Sequence, residues 1–247
     1  MKTTINFAHR GASGYCPENT LGAFKKALEL GATGIETDVH LTRDGRIVVI
    51  HDESLARTAG LNQLVKDTDY EELASLDAGS WFAPSFANER IPALEQLLEL
   101  LQSTDTILNI ELKNDYIQYK DIEHKVIDMV RAYHMTDRVI LSSFNHYSLA
   151  LCKQLAPEIR TGVLYMEGLY RPWDYARTLQ ADALHAYHFA VLPEWVAEAS
   201  DNGIDYNPFT VNEIPEMERL LDAGVAGIIT DYPDRLDDFL NRRGAKA

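Results

Sequence analysis

Residues 34–51 have the sequence GIETDVHLTRDGRIVVIH. Two runs rich in β-branched residues flank Asp44-Gly45, and Asp-Gly between such runs is a strong hairpin signal. The stretch therefore predicts two antiparallel strands joined by a tight turn. If the loop contains two residues, His51 lies directly opposite Asp38, on the same face of the hairpin.

Outside this hairpin, short apolar runs alternate with longer segments of helical period. Such alternation predicts parallel βαβ units, and eight of them close into a (β/α)8 TIM barrel. A doubly wound open sheet is the alternative, but the chain has neither a GxGxxG fingerprint nor a GxxxxGK[ST] loop. The predicted barrel strands are Thr4–His9, Gly34–Val39, Ile107–Lys113, Val139–Ser142, Gly162–Tyr165, Ala183–His185, Ile204–Tyr206 and Ala226–Thr230, and Ile47–His51 is the hairpin return. The predicted helices include Thr20–Leu30, Ala93–Gln102, Ile117–Tyr133, His146–Leu155, Trp173–Leu179, Glu194–Asn202 and Pro215–Ala223.

Composition and length suit one globular α/β barrel. The chain has 247 residues, of which 46% are hydrophobic and 25% charged, so we expect a single barrel domain over residues 1–247. Segment 52–90 is interpreted as a small insertion over the barrel mouth. The net charge of −15 repels nucleic acid and anionic membranes, so we expect neither nucleic acid nor stable membrane association.

Targeting features give only a default location. The N-terminus has no apolar run, no stretch approaches the ~18 apolar residues of a membrane helix, and the two cysteines lie far apart. We therefore expect a cytoplasmic protein. The sequence contains no indication of the oligomeric state.

Polar side chains close several predicted strands, at the end of a parallel barrel where active sites lie. Residues two apart on a strand share a face, so Glu36 points with Asp38, and Glu111 points with Lys113. If all point inward, three carboxylates meet at one end of the barrel. Like charges packed together are costly unless a cation lies among them. An all-oxygen ligand set favours Mg²⁺ or Ca²⁺ over zinc, and the choice between the two stays open.

Two histidines and two positively charged side chains also lie at these strand ends. His9 and His51 are suited to acid–base catalysis, because imidazole changes its charge near neutral pH. Arg10 can bind phosphate oxygens as a fork and Lys113 as a point charge. His185 ends a later strand and is a candidate substrate contact.

Several other polar residues have supporting interpretations. Asp52 and Arg57 are expected to support His51, and Asp231 is either a loop anchor or a ligand. Glu18 and Asn19 are expected to shape their loop and to cap the helix that begins near Thr20. The remaining histidines are expected to be peripheral or helical: His40, His124, His134, His146 and His188.

Together these motifs resemble the glycerophosphodiester phosphodiesterase family. They lie in the family's order from residue 9 to residue 233, and this ordered series is far more specific than any one motif. In chain order the motifs are His9-Arg10-Gly11, Pro17-Glu18-Asn19-Thr20, Glu36-Thr37-Asp38-Val39, His51-Asp52-Glu53-Ser54-Leu55 with Arg57-Thr58, Ile110-Glu111-Leu112-Lys113, Ser142-Ser143-Phe144, Thr210-Val211-Asn212 and Thr230-Asp231-Tyr232-Pro233.

The resemblance implies a metal-dependent enzyme that hydrolyses glycerophosphodiesters to sn-glycerol 3-phosphate and an alcohol. It implies that Glu36, Asp38 and Glu111 hold one divalent cation. It also implies that His9 and His51 form an acid–base pair acting through a cyclic phosphate, and we assign His9 as the first base and His51 as the first acid.

The resemblance further implies that Arg10 and Lys113 bind the substrate phosphate. Phe209 occupies a position where the family often has tryptophan, so Phe209 is a second candidate substrate contact. Three other functions stay as alternatives: a related lyase that releases the cyclic phosphate, a non-catalytic barrel that binds a phosphorylated ligand, and a sugar phosphate isomerase. The absence of a Gly-rich loop late in the chain argues against the isomerase. The leaving alcohol is open.

Overall fold

A computed structural model describes residues 4–244, so the first three and last three residues of the predicted 1–247 domain lie outside the described residues. The strands in this range are β1 (Ile5–His9), β2 (Gly34–Leu41), β3 (Ile47–Val49), β4 (Ile107–Leu112), β5 (Val139–Ser143), β6 (Arg160–Tyr165), β7 (Ala183–Ala186), β8 (Asp205–Tyr206) and β9 (Gly227–Thr230). The helices are α1 (Leu21–Glu29), α2 (Ala56–Ala59), α3 (Tyr70–Ser75), α4 (Leu94–Leu101), α5 (Ile122–Ala132), α6 (His146–Leu155), α7 (Pro172–Thr178), α8 (Pro193–Asp201), α9 (Ile214–Ala223) and α10 (Pro233–Gly244). None of these helices has the length and apolar character needed to cross a lipid bilayer.

The parallel strands follow one another around a barrel in the order β8-β7-β6-β5-β4-β2-β1-β9, while β3 pairs antiparallel with β2. Backbone hydrogen bonds join the β8 end of this sheet to the β9 end. Ala226 N donates to Tyr206 O at 2.9 Å, and Ile229 N donates to Pro208 O at 3.0 Å. The barrel is therefore nearly closed, and the predicted (β/α)8 fold with a hairpin after the second strand is confirmed.

Strand β2 shows why the carboxylates face the inside of the barrel. Ile35 and Val39 belong to the largest apolar core, together with Leu97 and its neighbours on α4. Burial of each such aliphatic side chain contributes about 1.5–3 kcal/mol, so the outward direction of these residues is strongly favoured. Because successive side chains alternate, Glu36 and Asp38 must then point inward.

A separate apolar cluster closes the barrel beneath its mouth. Phe7, Ile140 and Ile229 are buried together inside the barrel. Phe7 precedes His9 by two residues on β1, so both side chains lie on the inner face at different depths. The candidate site residues thus lie above a packed apolar layer.

The hairpin loop is one residue longer than predicted. Val39 pairs with Val49, and Thr42 N donates to Arg46 O at 3.0 Å. Gly45, with φ of +80°, occupies the last of the three loop positions. A type I turn followed by a left-handed residue is a common three-residue hairpin loop, and glycine suits that final position best. Asp-Gly predicted the turn correctly but not its length.

The longer loop makes the predicted pairing of His51 with Asp38 wrong. Asp38 O accepts a hydrogen bond from Ile50 N at 3.1 Å, and the ladder ends at Val49. The direction of the His51 side chain is therefore not set by strand alternation. Its backbone is held instead by His40, whose Nε2 lies 3.0 Å from His51 O.

Segment 52–90 forms the predicted small insertion, with α2, α3 and two short 3-10 turns. Its apolar residues, Leu55 among them, pack against Val48 of β3 in a small core of their own. The insertion also contacts the β1–α1 loop, because Arg57 Nη1 donates to Glu18 Oε2 at 2.8 Å. These contacts hold the lobe beside the mouth of the barrel.

Gly45→Ala is expected to lower the free energy of unfolding by about 1–2 kcal/mol, because L residues are disfavoured in the left-handed region. The added Cβ would lie 2.9 Å from Lys125 Nζ, the movable end of a flexible chain, so backbone strain is the main cost. Gly168→Ala is the matched control, since its nearest neighbour, Trp195, lies 4.0 Å from the new Cβ. Urea unfolding of the two variants measures the difference, and equal stabilities would contradict this loop conformation.

Candidate active site

Glu36, Asp38 and Glu111, the predicted metal ligands, come together inside the mouth of the barrel. Asp38 on β2 lies in register with Glu111 on β4, and Glu36 shares the inner face of β2. One oxygen from each carboxylate lies within 4.8 Å of the others. Their exposed fractions are only 4%, 1% and 8%. Three anionic groups this close and this buried repel one another unless positive charge lies among them.

The pKa values of these carboxyl groups reflect the crowding. Burial raises the pKa of Glu36 well above its ordinary value, and the charges of Asp38 and Glu111 raise it further. Burial and the Asp38 charge also raise the pKa of Glu111 to about 7. Burial opposes ionisation of Asp38 as well, but positive charges, Arg10 first among them, hold its pKa below the ordinary value. Glu36 and Glu111 therefore retain protons more readily than exposed glutamates do.

One oxygen of Asp38 lacks a partner that a bound cation would supply. Asn19 Nδ2 donates to Asp38 Oδ2 at 2.9 Å, whereas Asp38 Oδ1 is buried without a hydrogen-bond partner among residues 4–244. An unsatisfied buried anionic oxygen is costly. A divalent cation shared with Glu36 and Glu111 would satisfy it, and oxygen donors suit Mg²⁺ or Ca²⁺. The residues present thus fit the predicted hard cation.

His9 lies beside this cluster and is oriented by an aspartate. Its Nδ1 is 2.6 Å from Asp231 Oδ1, and its Nε2 points toward Glu36 Oε2 at 3.9 Å. Asp231 also accepts hydrogen bonds from Ser13 Oγ at 2.9 Å and Asn212 Nδ2 at 2.6 Å. Burial opposes ionisation of Asp231, but the contact with His9 and these hydrogen bonds lower its pKa to about 2. The His9 ring is therefore fixed, with Nε2 directed into the site.

His51 has the same arrangement on the other side. Its Nδ1 lies 2.7 Å from Asp52 Oδ1, and Arg57 Nε donates to Asp52 Oδ2 at 2.7 Å, so the expected support by Asp52 and Arg57 is present. The His51 Nε2 lies 3.4 Å from Lys113 Nζ. Burial lowers the pKa of His51 despite the opposing charge of Asp38. Both imidazoles thus present Nε2 to one space while an aspartate holds Nδ1.

Arg10 and Lys113, the predicted phosphate-binding residues, bring positive charge to the same space. Lys113 Nζ donates to Glu111 Oε1 at 3.0 Å, and Arg10 Nη1 donates to Glu18 Oε1 at 2.9 Å. Arg10 Nε lies 3.4 Å from Asp38 Oδ2. Although burial opposes their charge, neighbouring carboxylates raise the pKa of both residues, so both stay cationic. They are available to neutralise phosphate oxygens.

A cavity at the mouth connects these groups. Its apolar wall includes Phe209, one of the two candidate substrate contacts. The polar residues that line it are His9, Arg10, Glu36, His51, Asn109, Glu111, Lys113 and Thr210. His185, the other candidate contact, does not line this cavity. It is fully buried and packs against Gly162, and its Nε2 lies 3.1 Å from Asn207 Nδ2. Burial lowers the pKa of His185 to about 3, so it stays neutral inside the barrel.

His40 was expected to be peripheral, and that expectation is wrong. The side chain is fully buried, with Nδ1 2.9 Å from Tyr119 Oη and Nε2 hydrogen-bonded to the His51 backbone. It follows Asp38 by two residues on β2, so strand alternation already predicts that it shares a face with Asp38. His40 is a positioning residue for His51.

The expected cap of helix α1 is also corrected. Thr20 caps the helix, since its Oγ1 accepts from Ala23 N at 3.2 Å. Asn19 instead connects two residues of β2: it donates to Asp38, and its Oδ1 accepts from Thr37 Oγ1 at 2.8 Å. Asn19 therefore holds Asp38 in place rather than the helix.

Asp231→Asn is expected to lower kcat by about 10²-fold, because an amide cannot hold the His9 ring as the carboxylate does. The loss should be smaller than that caused by removing His9 itself, and it should appear in kcat rather than in KM. Asp234→Asn, three residues along, is the matched control. Steady-state kinetics on both variants test this, and an unchanged kcat for Asp231→Asn would remove Asp231 from the site.

The chain resembles proteins of one family over nearly its whole length. Residues 9–235 match the Glycerophosphoryl diester phosphodiesterase family. A protein from Caldanaerobacter subterraneus subsp. tengcongensis named glycerophosphodiester phosphodiesterase is 47% identical over 244 residues, covering 99% of this chain and 100% of its own length. A Bacillus subtilis protein of the same name is 32% identical and covers 93% of this chain and 84% of its own length.

Solved structures agree with these sequence matches. A phosphodiesterase from Oleispira antarctica, in complex with the product sn-glycerol-3-phosphate, superposes with a TM-score of 0.90 at 30% identity, covering 95% of this chain and 96% of its own. A putative glycerophosphoryl diester phosphodiesterase from Silicibacter pomeroyi superposes with a TM-score of 0.88 at 29% identity, covering 99% and 95%. On these matches, this chain belongs to the glycerophosphoryl diester phosphodiesterase family.

Proposed function

We propose that this chain, acting as a single barrel domain, is a metal-dependent phosphodiesterase that hydrolyses glycerophosphodiesters to sn-glycerol 3-phosphate and an alcohol. The observation that carries the proposal is the pair of aspartate-held imidazoles, His9 and His51, facing one cavity beside three carboxylates. Family membership supports the same activity, and the product bound to the Oleispira antarctica relative is the product proposed here.

The cofactor in this proposal is one divalent cation, Mg²⁺ or Ca²⁺, held by Glu36, Asp38 and Glu111. When bound there, it would supply positive charge to the phosphate oxygens. The substrate phosphate would then lie between this cluster and the side chains of Arg10 and Lys113. These two residues bind it and neutralise the charge that develops on its oxygens.

The first chemical step is an attack on phosphorus by the glycerol 2-oxygen of the same diester. One imidazole Nε2 removes the proton of the glycerol 2-hydroxyl, whose oxygen forms a bond to phosphorus. The bond from phosphorus to the leaving alcohol breaks, and the second imidazole gives its proton to that oxygen. The products are the free alcohol and a cyclic glycerol phosphate.

The surroundings of His51 support its role as the first base, the reverse of the order assigned from sequence. Lys113 Nζ faces its Nε2, and burial lowers the pKa of His51, so the ring is neutral at neutral pH. A neutral Nε2 accepts a proton readily. His9 Nε2, which lies 3.9 Å from Glu36 Oε2 on the other side of the cavity, then protonates the leaving alcohol.

The second step returns both histidines to their starting states. His9 removes a proton from water, the water oxygen bonds to phosphorus, and the bond to the 2-oxygen breaks. His51 returns the proton to that oxygen, which leaves sn-glycerol 3-phosphate. Each histidine thus acts once as acid and once as base.

A coupled assay for glycerol-3-phosphate release from glycerophosphocholine, with and without EDTA, tests the proposal. We expect release that stops on chelation and returns with Mg²⁺ or Ca²⁺. Absence of release from any glycerophosphodiester would overturn the activity, and full activity in EDTA would overturn the metal dependence. Phosphorus NMR that shows cyclic phosphate as the final product would indicate the lyase instead.

A further inference from the structure

A groove on the rim of the barrel adjoins the catalytic cavity. It lies between the segment that follows β7 and the start of α9, and its walls include Tyr187, Phe189, Glu213 and Pro215. Thr210 lines both the cavity and the groove. A group that extends from the bound phosphate past Thr210 therefore enters this groove.

Four aromatic rings, called here the aromatic strip, run from the cavity into the groove. Phe144 and Phe209 line the cavity with ring centroids 6.1 Å apart. Phe209 lies 6.2 Å from Tyr187, and Tyr187 lies 5.4 Å from Phe189. Phe189 is 74% exposed. The His188 ring lies against Phe189, with centroids 4.2 Å apart, and the exposed remainder of the Phe189 ring offers its negative π face to a ligand.

The groove has an excess of negative charge. Glu216 is neutralised locally, because Arg219 Nε donates to its Oε2 at 2.9 Å and His188 Nδ1 lies 3.0 Å from its Oε1. Glu213 is exposed, and its carboxylate has no ion-pair or hydrogen-bond partner within the described part of the chain. One uncompensated carboxylate thus lies beside the aromatic strip.

We propose that this groove binds the quaternary ammonium group of the substrate's leaving alcohol. The proposal rests on the proposed function, which supplies a diester whose alcohol end lies outside the cavity. A quaternary ammonium is attracted by aromatic faces and by a carboxylate, and it has no N–H groups that need acceptors. The faces of Tyr187 and Phe189 attract a cation, whereas they give no such attraction to a neutral polyol.

Ligand binding tests the groove without turnover. The two probes are choline and its neutral carbon isostere, in which a quaternary carbon replaces the nitrogen, so that shape is kept and charge is removed. Saturation-transfer NMR on the intact protein should show choline binding about 2- to 5-fold more tightly than the isostere, the range of an exposed cation–π contact. Equal binding of the two probes would overturn the proposal.

Two variants test which residues cause the preference for choline over its neutral isostere. Phe189→Leu keeps an apolar side chain but removes the π face, and Glu213→Gln removes the charge, so each should reduce the choline preference. The matched controls are Phe82→Leu, an exposed ring on the insertion, and Glu218→Gln, elsewhere on α9. Both controls should keep the wild-type preference. A preference that survives Phe189→Leu and Glu213→Gln would place ammonium binding elsewhere and overturn the proposal.

Turnover separates this proposal from the activity on which it rests. The ratio of kcat/KM for glycerophosphocholine to that for glycerophosphoglycerol should fall about 2- to 5-fold in Phe189→Leu. Hydrolysis of both diesters with an unchanged ratio would overturn the subsite and leave the proposed function standing. Choline binding that depends on Phe189, without hydrolysis of any diester, would support the ammonium site and overturn the proposed function.

Discussion

Replacing His9 or His51 with alanine is expected to lower kcat by about 10²- to 10⁴-fold, the range typical of a positioned general acid or base. Affinity for the divalent cation should change little, because the proposed ligands are carboxylate oxygens and not ring nitrogens. His9 Nε2 lies 3.9 Å from Glu36 Oε2, too far to be part of a hydrogen bond with it. Steady-state kinetics with glycerophosphocholine measure the first quantity, and metal titration calorimetry measures the second.

The matched control is His124→Ala, which removes an exposed histidine on α5 and should keep wild-type kinetics. Wild-type turnover in both His9→Ala and His51→Ala would end the mechanism. A diester that lacks the glycerol 2-hydroxyl should also react far more slowly with the unmodified enzyme, because the attacking group would no longer be held within the substrate.

A better leaving group distinguishes the two histidines. Nitrophenol is a more acidic leaving group than an ordinary alcohol, so its anion can depart without first being protonated. The general acid therefore becomes less important. With nitrophenyl glycerol phosphate as substrate, His9→Ala should recover much of its lost rate, whereas His51→Ala should not. Recovery in His51→Ala alone would restore the order assigned from sequence, with His9 as base.

The barrel was predictable because its strands are short apolar runs whose ends carry distinctive polar residues. β1 was expected at Thr4–His9 and lies at Ile5–His9. Helix α6 was expected at His146–Leu155 and has those bounds. The insertion helices were not predicted, since α2 and α3 have four and six residues. Segments that short show no helical periodicity and depend on tertiary packing for their stability.

The site was predictable where it depends on strand alternation and not where it depends on distant contacts. Alternation placed Glu36 and Asp38 on one face, and the structure brings both to Glu111. By contrast, Asp231 contacts His9 across 222 positions of sequence, a separation at which local pattern carries no information. The hairpin register failed for a different, local reason: Asp-Gly suits a two-residue loop and a three-residue loop that ends in a left-handed glycine, and Gly45 adopts the second conformation.

The fold should be less stable when the carboxylate cluster of Glu36, Asp38 and Glu111 holds no cation than when it holds one. Burial and the neighbouring charges of Asp38 and Glu111 raise the pKa of Glu36, so its ionised form destabilises the metal-free fold. A carboxyl group with a raised pKa in the folded state costs stability as pH rises above its unfolded value. A neutral isostere removes that cost. It also removes one anionic ligand from the cation.

Glu36→Gln is therefore expected to raise the Tm of the protein in EDTA by a few degrees, since about 1 kcal/mol corresponds to about 2–4 °C for a chain of this size. The gain should be larger near about pH 8 than near about pH 5, because the raised pKa of Glu36 leaves more of it protonated at the lower pH. At the same time the Tm increase caused by Mg²⁺ or Ca²⁺ should shrink, and kcat should fall by orders of magnitude.

Calorimetry and kinetics on this variant, with Glu71→Gln on the exposed side of α3 as the control, measure these opposite effects. Like charges that are forced together cost stability until a cation binds among them, so a residue that holds a metal and one that merely supports the barrel behave differently. Loss of a supporting residue would lower Tm with and without metal, whereas loss of a ligand raises it only in EDTA. A Glu36→Gln protein that is less stable in EDTA and still gains the full Tm increase from metal would show that Glu36 is not a ligand.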